Sequence, residues 1–152
     1  MIPLAHRSPV SPEDCNLAKA IDLVGDRWTM LILRSAMFGV RRFDDFQKEL
    51  SIPRTILSGR LKNLTQSGVM ERRIYKEEGK RSRPEYILTG AGEALRPVLI
   101  ALMQWGDDCL ADGRLAPIRF THAASRQDVR AGFIDADGRE VSPVQMRVAL
   151  RR

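Results

Sequence analysis
A mainly α-helical fold with a small β wing, an α+β arrangement, is predicted for this chain by three observations. Apolar residues recur at helical spacing along most of the chain up to residue 111. Two short helical stretches meet at Ser51-Ile52-Pro53. Beyond Gly68 the spacing switches to alternation on either side of a polar, basic loop.

Taken in order, residues 1–12 contain Pro3, Pro9 and Pro12 and read as a loose, flexible arm. A first helix is expected from Glu13 to Val24, capped by Ser11 or Asp14 and ended by Gly25. A second, Arg27 to Phe38, is apolar on nearly every side, which marks a central core helix. Arg42 to Leu50 carries Phe43, Phe46 and Leu50 as one buried stripe. Pro53 suits the first position of the next helix, which buries Ile56 or Leu57, Leu61 and Leu64 and stops at Gly68. Its outer side shows Arg54, Thr55, Ser58, Gly59, Lys62 and Gln66. Two short helices joined by a tight turn, the second polar and basic outside, follow the helix-turn-helix pattern.

Val69–Tyr75 and Glu85–Thr89 read as paired strands, and the loop between them holds Lys76, Lys80, Arg81 and Arg83. That hairpin is the wing of a winged helix-turn-helix. Thr89 caps a long helix reaching about Ala111, with the stripe Leu95, Leu99, Leu102, Gly106 and Cys109 flanked by Val98 and Trp105. Such a stripe suits either a partner helix or the chain's own core. The first helix also lacks a cover, so a homodimer built from the terminal helices is the preferred reading, with Leu17, Ile21, Leu95, Leu99, Leu102 and Trp105 at its interface. Residues 13–111 thus form the DNA-binding and dimerisation domain. Residues 112–152 form a small β-rich C-terminal appendage, with strands expected at Pro117–Thr121, Val129–Ile134 and within Val141–Leu150, and a hairpin turn at Asp135-Ala136-Asp137-Gly138.

Composition narrows the function. The chain has 152 residues, 43% apolar and 29% charged, ordinary values for one compact domain with an appendage. No run of apolar residues is long enough to span a membrane. Met1 to Val10 has no apolar core of a secretory signal. Two cysteines, Cys15 and Cys109, are too few for a disulfide framework, and a cytoplasmic location is expected. The net charge is +6. Between Arg41 and Arg83, twelve lysines and arginines face only six acids, so this segment carries the whole surplus. Localised positive charge points to a polyanionic partner.

The residues then take roles on double-stranded DNA. Arg54, Thr55 and Ser58 lie nearest the base edges, and an arginine there can read guanine with two hydrogen bonds. Lys62 falls one turn later, on phosphate. Arg60 sits nearer the buried flank, where it either braces the domain by an ion pair or meets phosphate. Lys76, Lys80, Arg81 and Arg83 sit on phosphates or reach the minor groove, setting affinity and salt dependence. Arg41 and Arg42 are weaker candidates.

Catalysis has no foothold. His6 and His122 stand apart from any cysteine or carboxylate pair, and there is no glycine-rich phosphate loop, His-Glu-x-x-His or Cys-x-x-Cys. Neither an enzyme, a cofactor nor a metal site is expected. The competing reading is a winged helix serving as a protein-interaction or architectural module without operator specificity. Single-stranded nucleic acid fits poorly, because only Phe43 and Tyr75 interleave with the bases.

Several motifs bear a family resemblance. Ala20-Ile21-Asp22-Leu23-Val24-Gly25-Asp26-Arg27-Trp28-Thr29 resembles the Gly-x-[Lys/Arg]-Trp-[Thr/Ser] start of the second helix in HxlR-type regulators of the MarR-like superfamily. Arg42-Phe43-Asp44-Asp45-Phe46 is similar to their Arg-Phe-x-[Glu/Asp]-Leu, with phenylalanine in place of leucine. Arg54 to Leu64 resembles their recognition helix, Pro84 to Gly92 their Val-Glu-Tyr-x-Leu-Thr-x-x-Gly, and Leu102 to Gly106 their Leu-x-x-Trp-Gly. The resemblance spans residues 13–111 and implies a dimeric repressor or activator on palindromic operators, answering a small molecule or an oxidant. It also singles out Cys15, near the start of the first helix, as a redox sensor; the alternative is a small apolar residue at the dimer seam. Asn16 follows it where the family commonly has proline. The tail lacks the cysteines of some longer members, so metal binding there is not expected.

Overall fold
The structure is a computed structural model in which residues 10–75 and 82–147 are described. Lys76, Lys80 and Arg81 at the wing tip, most of the N-terminal arm and the end of the expected last strand lie outside these residues. The chain forms two compact units, Met1–Arg96 and Pro97–Arg152.

The first unit is a winged helix-turn-helix. Helices α1 (Asn16–Val24), α2 (Arg27–Met37), α3 (Phe43–Leu50) and α4 (Arg54–Gln66) precede the antiparallel strands β1 (Met70–Tyr75) and β2 (Arg83–Leu88). Helix α2 is the core helix the sequence predicts: Thr29, Ile32, Leu33, Ser35 and Met37 are all buried. Phe46, Ile52, Leu57, Leu61, Leu64, Val69 and Met70 complete that core. Burial of each such aliphatic or aromatic side chain contributes about 1.5–3 kcal/mol. Of the two candidates for α4's inner face, Leu57 is buried and Ile56 is exposed. In α3 only Phe46 is fully buried, with Phe43 and Leu50 at the margins.

The first helix begins three residues later than the spacing predicts. Ser11 and Asp14 hydrogen-bond to each other in a turn, and Cys15 is the N-cap, with no side-chain cap bond. The true cap is one helix on. Asp26 accepts from the backbone N–H groups of Trp28 and Thr29, and from the Thr29 hydroxyl. Ser35, buried in α2, donates to Glu49 Oε1 at 2.6 Å and ties α2 to α3.

A third, single-residue rung widens the sheet. Arg42 bridges Glu85 antiparallel, and the Tyr86 N–H donates to the Arg41 carbonyl at 2.8 Å. The chain entering α3 is therefore hydrogen-bonded to the wing, which fixes helix-turn-helix and wing as one body.

The long helix expected from Thr89 to Ala111 is broken. Thr89 does cap, its hydroxyl accepting from the Gly92 N–H, but the helix it starts is only α5 (Gly90–Glu93). A turn at Ala94 and Leu95 follows, then α6 (Arg96–Leu110). Pro97 explains the break: it has no N–H to donate to the Glu93 carbonyl, and its ring crowds that turn. Leu95 consequently falls out of the helical stripe. Arg96 donates to the Met37 carbonyl at 3.2 Å, meeting the negative end of α2.

In the second unit, α6 supplies the anchor for an otherwise open tail. The Gln104 amide donates to the Val129 carbonyl and accepts from the Ala131 N–H, both at 2.8 Å, as a neighbouring strand would. One turn on, Asp108 pairs with Arg130. The hairpin turn falls where the sequence puts it: β3 (Phe133–Ile134) and β4 (Glu140–Val141) are joined through Asp135–Gly138, with Gly138 at φ 79°. The expected strand Pro117–Thr121 does not form. A lone bridge, Thr121 to Asp128, stands there instead, and Pro117 brings no N–H to a ladder. Val141 ends the two-residue β4, and a 3-10 turn, Pro143–Gln145, follows it.

Candidate nucleic-acid interface
Helix α4 presents two unlike sides. Leu57, Leu61 and Leu64 are buried, whereas Arg54, Thr55, Ser58 and Lys62 are all exposed. Nothing polar on that outer side is consumed by the core. Phe43, Arg54, Thr55 and Ser58 line one shallow depression at the start of the helix. The Arg54 guanidinium lies over the Phe43 ring, 4.8 Å from its centroid, a cation–π contact that holds a long side chain near the helix-turn-helix junction.

The wing base joins this face. Arg83, in β2, shares a cleft of about 360 Å³ with Arg42, Phe43, Asp44, Asp45, Arg54, Pro84 and Tyr86. Arg42 stacks over Tyr75 at 5.3 Å and lies 3.8 Å from a Glu85 carboxylate oxygen, so it braces the sheet rather than standing free. Arg41 is exposed beside it.

Arg60 is turned the other way. Its Nε donates to Asp26 Oδ1 at 3.0 Å, so of its two readings the geometry favours the brace. Asp26 thereby joins two helices: it caps α2, holds the buried Thr29 hydroxyl and anchors Arg60 of α4. Burial pushes its carboxyl up, but hydrogen bonds from Thr29 and Trp28 and the charge of Arg60 outweigh this, and the net shift is below the ordinary aspartate range. A lowered folded-state value means stability that is present above the unfolded aspartate's value and lost as pH falls through the folded one. Asp26→Ala is therefore expected to lose about 1–2 kcal/mol at neutral pH. The gap to wild type should shrink as thermal unfolding is followed down to acid conditions. A gap independent of pH would separate Asp26 from this role.

The expected dimer residues divide. Leu17 and Ile21 on α1, and Leu102 and Trp105 on α6, are exposed large apolar side chains. Leu99 is only 6% exposed in the single chain and packs internally, and Leu95 sits in the turn before α6. Cys15 is half-buried and Cys109 exposed, both as free thiols. Among the described residues no group of three metal-ligating side chains gathers, and no helix is long and apolar enough to cross a membrane.

Sequence reasoning missed three placements: the Asp26 cap, the Arg42 rung on the wing, and Asp44 between Arg54 and Arg83. The first had a local signal, an aspartate three residues before Thr29 at the start of an apolar run. The other two join residues far apart in sequence.

Comparison with known proteins agrees with this geometry. The family model for the HxlR-like helix-turn-helix matches residues 23–113. An uncharacterized HTH-type transcriptional regulator of Mycobacterium tuberculosis is 44% identical over 119 residues, spanning 78% of this chain and 72% of the relative. Among solved structures, PA1607, a proposed transcription factor, superposes with a TM-score of 0.77 at 37% identity, over 89% of this chain and 94% of that one. The reduced form of the transcriptional regulator YodB from Bacillus subtilis superposes with a TM-score of 0.55 at 31% identity, over 66% of this chain and 98% of its own. An exposed basic helix, a wing hydrogen-bonded through residues 41 and 42 to the segment entering α3, and these matches have one reading: the chain belongs to the HxlR-like helix-turn-helix family and is a DNA-binding transcriptional regulator.

Proposed function
We propose that the protein acts in the cytoplasm as a homodimer on a palindromic operator, with α4 in the major groove and the wing on the backbone or in the minor groove. The observation that carries this is the outer side of α4, where Arg54, Thr55, Ser58 and Lys62 are exposed together while the opposite side is fully committed to the core. Arg54, Thr55 and Ser58 read base edges from the N-terminal half of the helix, and Lys62 holds phosphate. Lys76, Lys80, Arg81 and Arg83 supply the sequence-independent part of the affinity. Arg60 positions α4 through Asp26. Two protomers related by a two-fold axis set their helices about 34 Å apart, one turn of DNA. The exposed apolar residues of α1 and α6 supply the seam.

The test is fluorescence anisotropy with the promoter duplex flanking the protein's own gene and with a scrambled duplex, over a series of salt concentrations. Arg54→Ala is expected to weaken promoter binding about tenfold and to relax discrimination. Lys80→Ala with Arg81→Ala should weaken both duplexes and lower the salt slope by ~0.9 for each phosphate no longer neutralised. Equal, weak binding of both duplexes by the wild type would favour the architectural or protein-interaction module instead.

The reading extends to a redox response through Cys15, at the N-cap of α1, the helix whose Leu17 and Ile21 are offered to the seam. Support comes from YodB, which is solved in both reduced and diamide-treated forms. Diamide should release the promoter from wild type and from Cys109→Ser, and not from Cys15→Ser. Release that survives Cys15→Ser would leave Cys15 a packing residue.

A further inference from the structure
Asp44 stands on the proposed DNA face between two of its arginines. It lies in the first turn of α3, and its two carboxylate oxygens face arginines from two other elements. Oδ1 is 4.0 Å from Arg54 Nη1 on α4, and Oδ2 is 3.7 Å from Arg83 Nη1 on β2. All three side chains are about 70% exposed and line one cleft with Phe43. Exposed pairs of this length add little to folding stability. Their consequence lies in binding, because a carboxylate beside two guanidinium groups offers them the same single negative charge that a backbone phosphate would.

We propose that Asp44 is a specificity-determining residue of the interface, one that occupies Arg54 and Arg83 and so penalises binding to arbitrary DNA more than binding to the operator. The proposal rests on the reading of α4 and the wing given above. Non-specific affinity comes from phosphate contacts. On arbitrary duplex both arginines are drawn to phosphates, and Asp44 is left uncompensated beside the backbone, where like charges repel. On the operator Arg83 meets phosphate as it does on any duplex, and Arg54 leaves the carboxylate for a base edge instead. The base-edge hydrogen bonds offset the lost ion pairs there, whereas on other sequences only salt-screened phosphate contacts do so. Asp45, one residue on in the same cleft, has no arginine within ion-pair distance among the described residues.

The experiment measures anisotropy of Asp44→Asn, Asp45→Asn and wild type on two duplexes of equal length: one selected by the wild-type chain from a random pool, and its scrambled counterpart. Wild-type discrimination between them is read first, and its absence overturns the operator reading and the proposal with it. Given that discrimination, Asp44→Asn is expected to tighten the scrambled duplex roughly tenfold and to steepen its salt slope by about the amount one phosphate contributes. The selected duplex should tighten by less than about threefold, so the specificity ratio falls. Asp45→Asn should move both duplexes alike. In an Arg54→Ala, Arg83→Ala background, Asp44→Asn should lose its selective effect and behave as Asp45→Asn does. A specificity ratio unchanged by Asp44→Asn, or a change that persists without the two arginines, overturns the role of Asp44 while leaving the operator reading intact. Matching circular dichroism melts establish that each variant is folded.

Discussion

Gly92→Ala is expected to destabilise the protein by about 3 kcal/mol, at the upper end of the cost of overpacking. Conformation is not the reason; space is. A Cβ at this position would lie 2.3 Å from the Val69 carbonyl oxygen and 3.0 Å from Leu88 Cδ2. The carbonyl cannot step aside, since it accepts the Thr89 N–H at 3.1 Å where β1 and β2 close. The Thr89 hydroxyl meets the Gly68 carbonyl at 2.5 Å and accepts from the Gly92 N–H, so pushing α5 outward also undoes its cap. For a chain of this size the loss should lower Tm by roughly 6–12 °C in a calorimetric scan. The same substitution at Gly59 provides the control. It sits in the middle of α4 with nothing within 4 Å of a built Cβ, so Gly59→Ala should stabilise by about 0.5–1 kcal/mol. A loss below about 1 kcal/mol at Gly92 would mean that α5 can slide off the sheet and leave the Val69 carbonyl undisturbed.

Gly92 also shows how the sequence encodes this fold. Its place three residues after a capping threonine is a local pattern, and local patterns were legible. The spacing of Leu57, Leu61 and Leu64 identified the inner face of α4, and the alternation around Tyr75 and Tyr86 identified the wing. The exposed set Arg54, Thr55, Ser58 and Lys62 followed from the same spacing. Pairings between distant residues were not legible, because periodicity carries no information about them. Asp26 and Arg60 are 34 residues apart, and Asp44 meets Arg83 only because the Arg42–Glu85 rung brings α3 to the wing base. The tail failed for a related reason. The Val129 N–H donates to the Phe120 carbonyl beside the Thr121–Asp128 bridge, but the Val129 carbonyl and the Ala131 N–H turn to the Gln104 side chain, so the ladder that strand-like composition predicts at Pro117–Thr121 ends after one rung. The break before α6 was written in Pro97, yet the apolar spacing from Leu95 to Leu99 continues across it and masks the stop.

Leu102→Asp combined with Trp105→Ser is expected to convert the proposed dimer to a monomer and to weaken binding of a two-half-site duplex on the order of a hundredfold. Val98, Leu102 and Trp105 are spaced i, i+4 and i+7, so they share one face of α6, and each remains at least half exposed in the single chain. A continuous apolar face of this kind on a soluble helix marks an interaction surface. Burying a carboxylate at Leu102 in such a seam costs more than the seam can return. Leu99, already packed within its own chain, separates the two kinds of defect: Leu99→Ala should cost roughly 2–4 kcal/mol of folding stability and leave the proposed dimer assembled. On a duplex carrying a single half-site, the Leu102 and Trp105 variant should bind as the wild type does, because its own α4 and wing are untouched. The hundredfold loss would then be the effective concentration of the second reading helix and nothing else. Sedimentation velocity reads the first half of this expectation and anisotropy the second. Unchanged sedimentation would move the seam away from α6, whereas a monomer that still bound the full operator tightly would make one protomer the unit of recognition.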